Sequence, residues 1–204
     1  MTNVTDDFSG FAGHPTWYPN SSDLVFSNTT ALFKVSADGT GTAEQLTGNI
    51  RATELEMNPD GHTVLFREHI SGGTFKISTI DLETNQITTI IPNAPTEYSP
   101  EWSTDGSRIA WSDYVNPNTA VISVADADGG NVERLTQTIS GFEQGIPKFS
   151  PDDQGLAYFG LGNDIHIVDV ATGQSTNLTN DGFNNNAPEW ENIIANYRFS
   201  DGIV

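Results

Sequence analysis

The chain has 204 residues, 36% of them hydrophobic, with 4 Trp, 5 Tyr and 11 Phe, which is enough apolar material for one large domain or a compact repeat array. Its 27 Asp and Glu against 8 Lys and Arg give a formal charge of −19, a field that repels nucleic-acid phosphates and anionic lipid while favouring basic partners and divalent cations. The absence of cysteine excludes disulfides, thiolate metal sites and cysteine nucleophiles, and no apolar run reaches the roughly 18 residues of a membrane span.

The segment Met1–Asp7 has none of the features of a signal peptide. A repeat then begins at Trp17, with a turn at Tyr18-Pro19-Asn20 and apolar residues at offsets of seven and nine, Leu24 and Phe26. An alternating run Leu32–Val35 follows, then a turn at Ala37-Asp38-Gly39 and a short strand ending in Leu46-Thr47. The second repeat has Met57, the turn Asn58-Pro59-Asp60-Gly61, then Val64 and Phe66, Phe75–Ile77, and a close at Ile90-Ile91. The third has Trp102, Ser103-Thr104-Asp105-Gly106, Ile109 and Trp111, Val121–Val124, Asp126–Asn131 and Leu135-Thr136. The fourth has Phe149, Ser150-Pro151-Asp152-Asp153, Leu156 and Tyr158, Ile165–Val168, Ala171-Thr172-Gly173 and Leu178-Thr179. Trp190 opens a fifth, with Tyr197 and Phe199 at the same offsets, and a proline precedes the anchor by two residues at Pro15, Pro100, Pro147 and Pro188. The anchors are spaced by 40, 45, 47 and 41 residues.

Offsets of seven and nine around a tight Asp-Gly turn place the apolar residues of a hairpin on matched faces. Glycine supplies the positive φ of the turn, and Asp bonds back to the backbone. Four short strands in about 45 residues make one propeller blade, which hides its two faces only by stacking on neighbours. No stretch of ten residues sustains helical periodicity. The expected fold is therefore all-β: a β-propeller of four full four-stranded blades and a partial fifth.

The run Pro100-Glu101-Trp102-Ser103-Thr104-Asp105-Gly106-Ser107-Arg108-Ile109-Ala110-Trp111 resembles the signature of TolB-like (WD40-like, PD40) repeats, and Asp126–Asn131 with Arg134-Leu135-Thr136 is similar to its second half. The resemblance covers residues 14–190, with departures where Tyr18 replaces Ser, Met57 replaces Trp and Asp153 replaces the turn glycine. It implies a propeller with a role in the bacterial envelope, periplasmic or exported. It leaves function open, because related propellers serve transport accessories, peptidases and sugar lyases.

The whole chain, 1–204, reads as one propeller domain, with repeats at about 14–47, 52–91, 97–136, 142–179 and 185–204 plus 1–5. Asn3-Val4-Thr5 lies 13 residues before Trp17, so the N-terminus is expected to supply the outer strand of the last blade and close a ring of about five. Assembly of two chains into a larger ring, or membership of a longer six- to eight-bladed protein, are the alternatives.

Residues just before each anchor are expected to line a central channel. The metal candidates among them are His14, Glu54, Glu56, Glu97, Glu101, Glu143 and Glu189, and converging oxygens of this kind suit Ca²⁺. Solvated rim acids are the competing reading. Asp126–Asn131 begins like a Ca²⁺ loop, but Gln137 occupies the twelfth position in place of the bidentate Glu, so a hairpin turn is expected there. His14, His62, His69 and His166 fall at unmatched repeat positions, with His69 in a loop. Trp17, Trp102 and Trp190 read as packing anchors, and no Gly-x-Ser-x-Gly elbow is present. No catalytic residue and no resident cofactor is assigned. The expected function is a non-catalytic scaffold that presents a loop-rich face to a protein or peptide, with no nucleic-acid partner and no membrane span. A metal-dependent lyase or lactonase with a central acidic site, and a structural subunit of a larger complex or homo-oligomer, are the alternatives.

Overall fold

The computed structural model describes residues 11–28, 30–94, 98–116, 119–137, 145–160 and 164–180, with Pro188 and Trp190. The chain divides into two compact units, Met1–Glu97 and Tyr98–Val204. Each contains two four-stranded antiparallel sheets, so the four full blades read from the repeats are present. The fifth-repeat strands, and the proposed N-terminal closing strand at residues 1–5, lie outside the described residues.

In the N-terminal unit, the first blade comprises β1 (Gly13–Trp17), β2 (Asp23–Ser27), β3 (Leu32–Ser36) and β4 (Glu44–Gln45). The second comprises β5 (Arg51–Met57), β6 (Thr63–His69), β7 (Phe75–Asp81) and β8 (Ile87–Ala94). Strands follow one another in sheet order, as hairpin connections require. Between the two blades lies an apolar core of Val25, Leu32 and Leu46 from the first, and Met57, Val64, Phe66 and Ile80 from the second. The offsets of seven and nine from Met57 thus point at one face, where the period-two alternation of a strand directs them.

In the C-terminal unit, β9 (Tyr98–Trp102), β10 (Arg108–Asn116), β11 (Thr119–Asp126) and β12 (Glu133–Arg134) form the third blade. The fourth comprises β13 (Gly145–Phe149), β14 (Gly155–Phe159), β15 (Ile165–Asp169) and β16 (Ser175–Asn177). The same layering recurs: Ala110, Ile122, Val124 and Leu135 of the third blade meet Phe149, Leu156, Tyr158 and Val168 of the fourth.

The β1–β2-type turns share one geometry. Ser21, Gly61, Gly106 and Asp153 have φ of 58°, 77°, 72° and 57°, and each donates its backbone N–H to the carbonyl three residues earlier. The preceding Asn20, Asp60, Asp105 or Asp152 accepts the amide two residues on. At Asp105 the Ser107 hydroxyl, followed by the Ser107 amide and the Ser103 hydroxyl, holds the carboxyl below its ordinary range. These carboxylates are spent on the turns.

The Leu-Thr close has a physical reason. The hydroxyls of Thr47, Thr136 and Thr179 accept the amides of Leu32, Ile122 and Ile165 at 2.9, 2.9 and 3.1 Å. A side chain thereby replaces a ladder bond on the third strand, and the outer strands stop after 2, 2 and 3 residues. In the second blade Ile91 stands at the threonine position, and β8 runs on for 8 residues.

Two expectations are corrected. His69 is not in a loop but ends β6, opposite Arg51 of β5. Trp17 is 55% exposed, whereas the equivalent Met57, Trp102 and Phe149 are 9%, 5% and 5% exposed. Met57 and Phe149 are covered by the blade before them, and Trp17 belongs to the first described blade.

Candidate functional site

The first strand of each of the four described blades carries a kink at the same place. His14, Glu54, Ser99 and Ile146, each three residues before its anchor, have φ of 50°, 55°, 54° and 54°. The pairing register with the second strand slips across each of them. The residue that follows is Pro15, Leu55, Pro100 or Pro147. Proline has no N–H to give to a ladder, and a bulge is where a strand tolerates that loss. The recurring proline in the sequence therefore marks a β-bulge. Such a bulge re-aims the side chain of the kinked residue out of the normal alternation.

At Glu54 the re-aimed carboxylate meets Arg67, with Oε1 3.2 Å from Nη1. Arg67 is buried, and its guanidinium lies 3.6 Å over the ring of Phe75. His69 packs edge-on against the same ring at 4.6 Å, with Nε2 3.0 Å from the Thr53 hydroxyl. Burial first, then the charges of Arg67, Arg51 and His14, push the His69 imidazole below its ordinary value.

The residue just before each anchor does different work. The hydroxyl of Thr16 accepts the backbone N–H of Met57 at 2.9 Å, tying the first blade to the second. At the equivalent position Glu101 accepts the backbone N–H of Phe149 at 3.2 Å, tying the third blade to the fourth. Glu101 also pairs with Lys148 at 2.6 Å, and both are largely shielded from solvent. The Trp190 indole donates to the Lys148 carbonyl at 2.9 Å, so the fifth anchor sits against the first strand of the fourth blade. Thr16, Glu101 and Lys148 are all polar residues expected to line a channel, and they act as fasteners. Sequence reading missed this because the acceptor's partner is a backbone amide roughly one repeat away. The pairing signal was the lone cation, Lys148, at a position otherwise occupied by Thr or Glu.

A second fastener lies at the turns. The Asp153 carboxylate accepts the backbone amides of Thr104 and Asp105 at 2.6 and 3.0 Å. In the N-terminal unit the equivalent contact is apolar: a Cβ at Gly61 would lie 3.1 Å from Cδ of Pro19. Pro19 and Thr104 occupy the same repeat position. Proline has no amide to offer, and there the facing residue is glycine. Threonine has one, and there the facing residue is aspartate.

Of the expected metal candidates, Glu54 and Glu101 face cations and His14 is exposed on its bulge. Glu56 lies on β5 opposite Leu65. Glu97, Glu143 and Glu189 lie outside the described residues. Among the described residues no three His, Asp or Glu side chains come together as a metal-holding group. In the loop that begins like a Ca²⁺ site, Asp128 accepts the amide of Gly130 and Asp126 accepts the Asn131 side-chain amide, the bonding of a hairpin turn. Among the described residues no helix is long and apolar enough to cross a membrane.

These sheets and fasteners define a β-propeller. Residues 112–191 match the family described as the dipeptidyl peptidase IV N-terminal region. No curated protein matches the chain. Solved structures similar to it include TolB from Acinetobacter baumannii, at TM-score 0.64 and 21% identity over 83% of this chain and 43% of that one. An oligogalacturonate lyase from Vibrio parahaemolyticus has TM-score 0.65 and 13% identity, over 80% of this chain and 51% of that one. A puromycin-hydrolyzing peptidase from Mycobacterium tuberculosis has TM-score 0.64 and 19% identity, over 76% of this chain and 28% of that one. The chain thus spans about half or less of the length of these structures, and the similarity is one of fold.

Proposed function

We propose that this chain is a non-catalytic binding scaffold whose partner is a protein or peptide. The observation that carries the reading is the use made of the inner polar side chains. Glu101 and Thr16 bind the anchor amides of the next blade, and Glu54 neutralises a buried arginine. Groups committed to holding blades together are poor candidates for proton transfer or metal binding, because either would release the amide or charge they satisfy. Recognition then falls to the outer strands and loops, where propellers graft their varied functions. The charge of −19 selects a partner with a basic surface and speeds its encounter at low salt. The fold it shares with TolB is compatible with an envelope role.

Chemical cross-linking with capture from cells, followed by reconstitution from purified components, tests this. The expected result is a complex of fixed stoichiometry whose association slows as salt is raised. Failure to find any complex, together with turnover of an oligogalacturonide by the purified chain, overturns it.

A further inference from the structure

The outer edges of the four blades are not alike. In the first, third and fourth blades the threonine hydroxyl cuts the outer strand to two or three residues. Two of those strands carry charge, through Glu44 and through Glu133 and Arg134. Short strands and charged side chains are the usual devices that keep a sheet edge from pairing with another chain. The outer strand of the second blade has neither over Ile87–Thr89, and carries the two other devices, a register slip and a proline, only beyond Thr89. Its β8 is the last strand of its sheet, and among the described residues it pairs with β7 alone. It begins Ile87-Thr88-Thr89-Ile90-Ile91, a run of β-branched residues, and no charged residue occurs between Glu83 and Glu97. Asn85 to Thr89 are exposed, with Ile87 37% exposed, while Ile90 and Ile91 face inward. The register is regular from Ile87 to Thr89, then slips before Ile91, and Pro92 ends the stretch that can donate.

We propose that the edge formed by Ile87–Ile91 receives an extended peptide segment of a partner protein, which adds as a fifth strand to the second blade. A terminal strand offers a row of outward N–H and C=O groups, and an incoming strand satisfies them. The occupant is a partner segment with basic flanks and not a second copy of this chain. Two copies bring −19 each to the contact, whereas lysines or arginines beside the segment meet that field favourably. Asp81 and Glu83, at the turn leading into β8, supply the local carboxylates. This inference rests on the scaffold reading for the existence of a partner, and adds where and how it is held.

The test uses the full chain and a fluorescent peptide of alternating threonine and valine flanked by lysines, with a control in which alternate backbone nitrogens are methylated. The expected result is saturable binding, with slowed hydrogen exchange confined to amides of residues 87–91. The methylated peptide should bind at least about tenfold more weakly. Thr88→Pro and Thr89→Pro separate the edge from the fold, since neighbouring strand residues direct their N–H groups to opposite sides. The variant that keeps the wild-type unfolding midpoint has lost the outward donor, and it should lose the peptide. Equal binding of the methylated peptide overturns the proposal, as does protection elsewhere, or no binding up to about 1 mM. Protection at the edge caused by self-association, seen by sedimentation without peptide, also overturns it. If a cell-derived partner stays bound to the edge-blocked variant, the edge proposal fails and the scaffold reading stands.

Discussion

Substitutions at Asp153 separate two effects that oppose one another in the wild-type chain. The residue sits at φ 57°, in the left-handed region that costs most side chains about 1–2 kcal/mol, though Asp tolerates it better than most. Its carboxylate accepts two backbone amides of the third blade's turn. Hydrogen bonds to a charged group contribute about 1.5–3 kcal/mol each, and a partly exposed site belongs at or below the low end, so the pair is worth about 2 kcal/mol. Asp153→Ala loses both bonds and sets in the left-handed region a residue that tolerates it less well than Asp, and should destabilise by about 3 kcal/mol. Asp153→Gly loses the same bonds but removes the strain, and should cost only about 1 kcal/mol. Asp153→Asn keeps one acceptor oxygen and should fall between them. Urea unfolding reads the order as shifts in midpoint at constant slope. If glycine stabilises the chain, or if alanine and glycine are equivalent, Asp153 does not fasten the third and fourth blades.

Thr136→Val keeps the volume of the Leu-Thr close but removes the acceptor for the Ile122 amide, which is buried, and should destabilise by about 1–3 kcal/mol in the same urea assay. The corresponding test on pH concerns His69. Because its imidazole titrates below the ordinary value in the folded chain, the neutral form stabilises the fold above that value, and the contribution is lost as pH falls from about 6.5 through the folded pKa. His69→Gln should flatten the pH dependence of the unfolding midpoint over that range, and an unchanged slope would show that the imidazole contributes nothing to it.

The fold was legible in the sequence because each blade repeats a pattern with one physical cause. Trp102 with Ile109 and Trp111, or Phe149 with Leu156 and Tyr158, mark a hairpin whose alternate residues share a face. The turn chemistry was equally open, since Asp-Gly and Asp-Asp occupy one left-handed position. What the sequence hid was pairing over the distance of a repeat. Glu101 looks like a channel acid until Phe149 and Lys148 are seen beside it. Asp153 looks like a lapse from glycine until the amides of Thr104 and Asp105 are found within reach. The long edge of β8 was also hidden, because its cause is a missing hydroxyl: Ile91 reads as one more apolar strand end. Trp17 resembles its fellow anchors in every local respect and is nonetheless exposed.

The most direct test of the claim that inner polar side chains fasten blades is amide hydrogen exchange at Met57 and Phe149, in the wild type and in Thr16→Val and Glu101→Ala. Slow exchange at both in the wild type is expected, with Met57 accelerated only by Thr16→Val and Phe149 only by Glu101→Ala. Rapid exchange at Phe149 in the wild type, or no response to loss of the Glu101 carboxylate, would contradict it and return that residue to the list of groups available for ligand or metal.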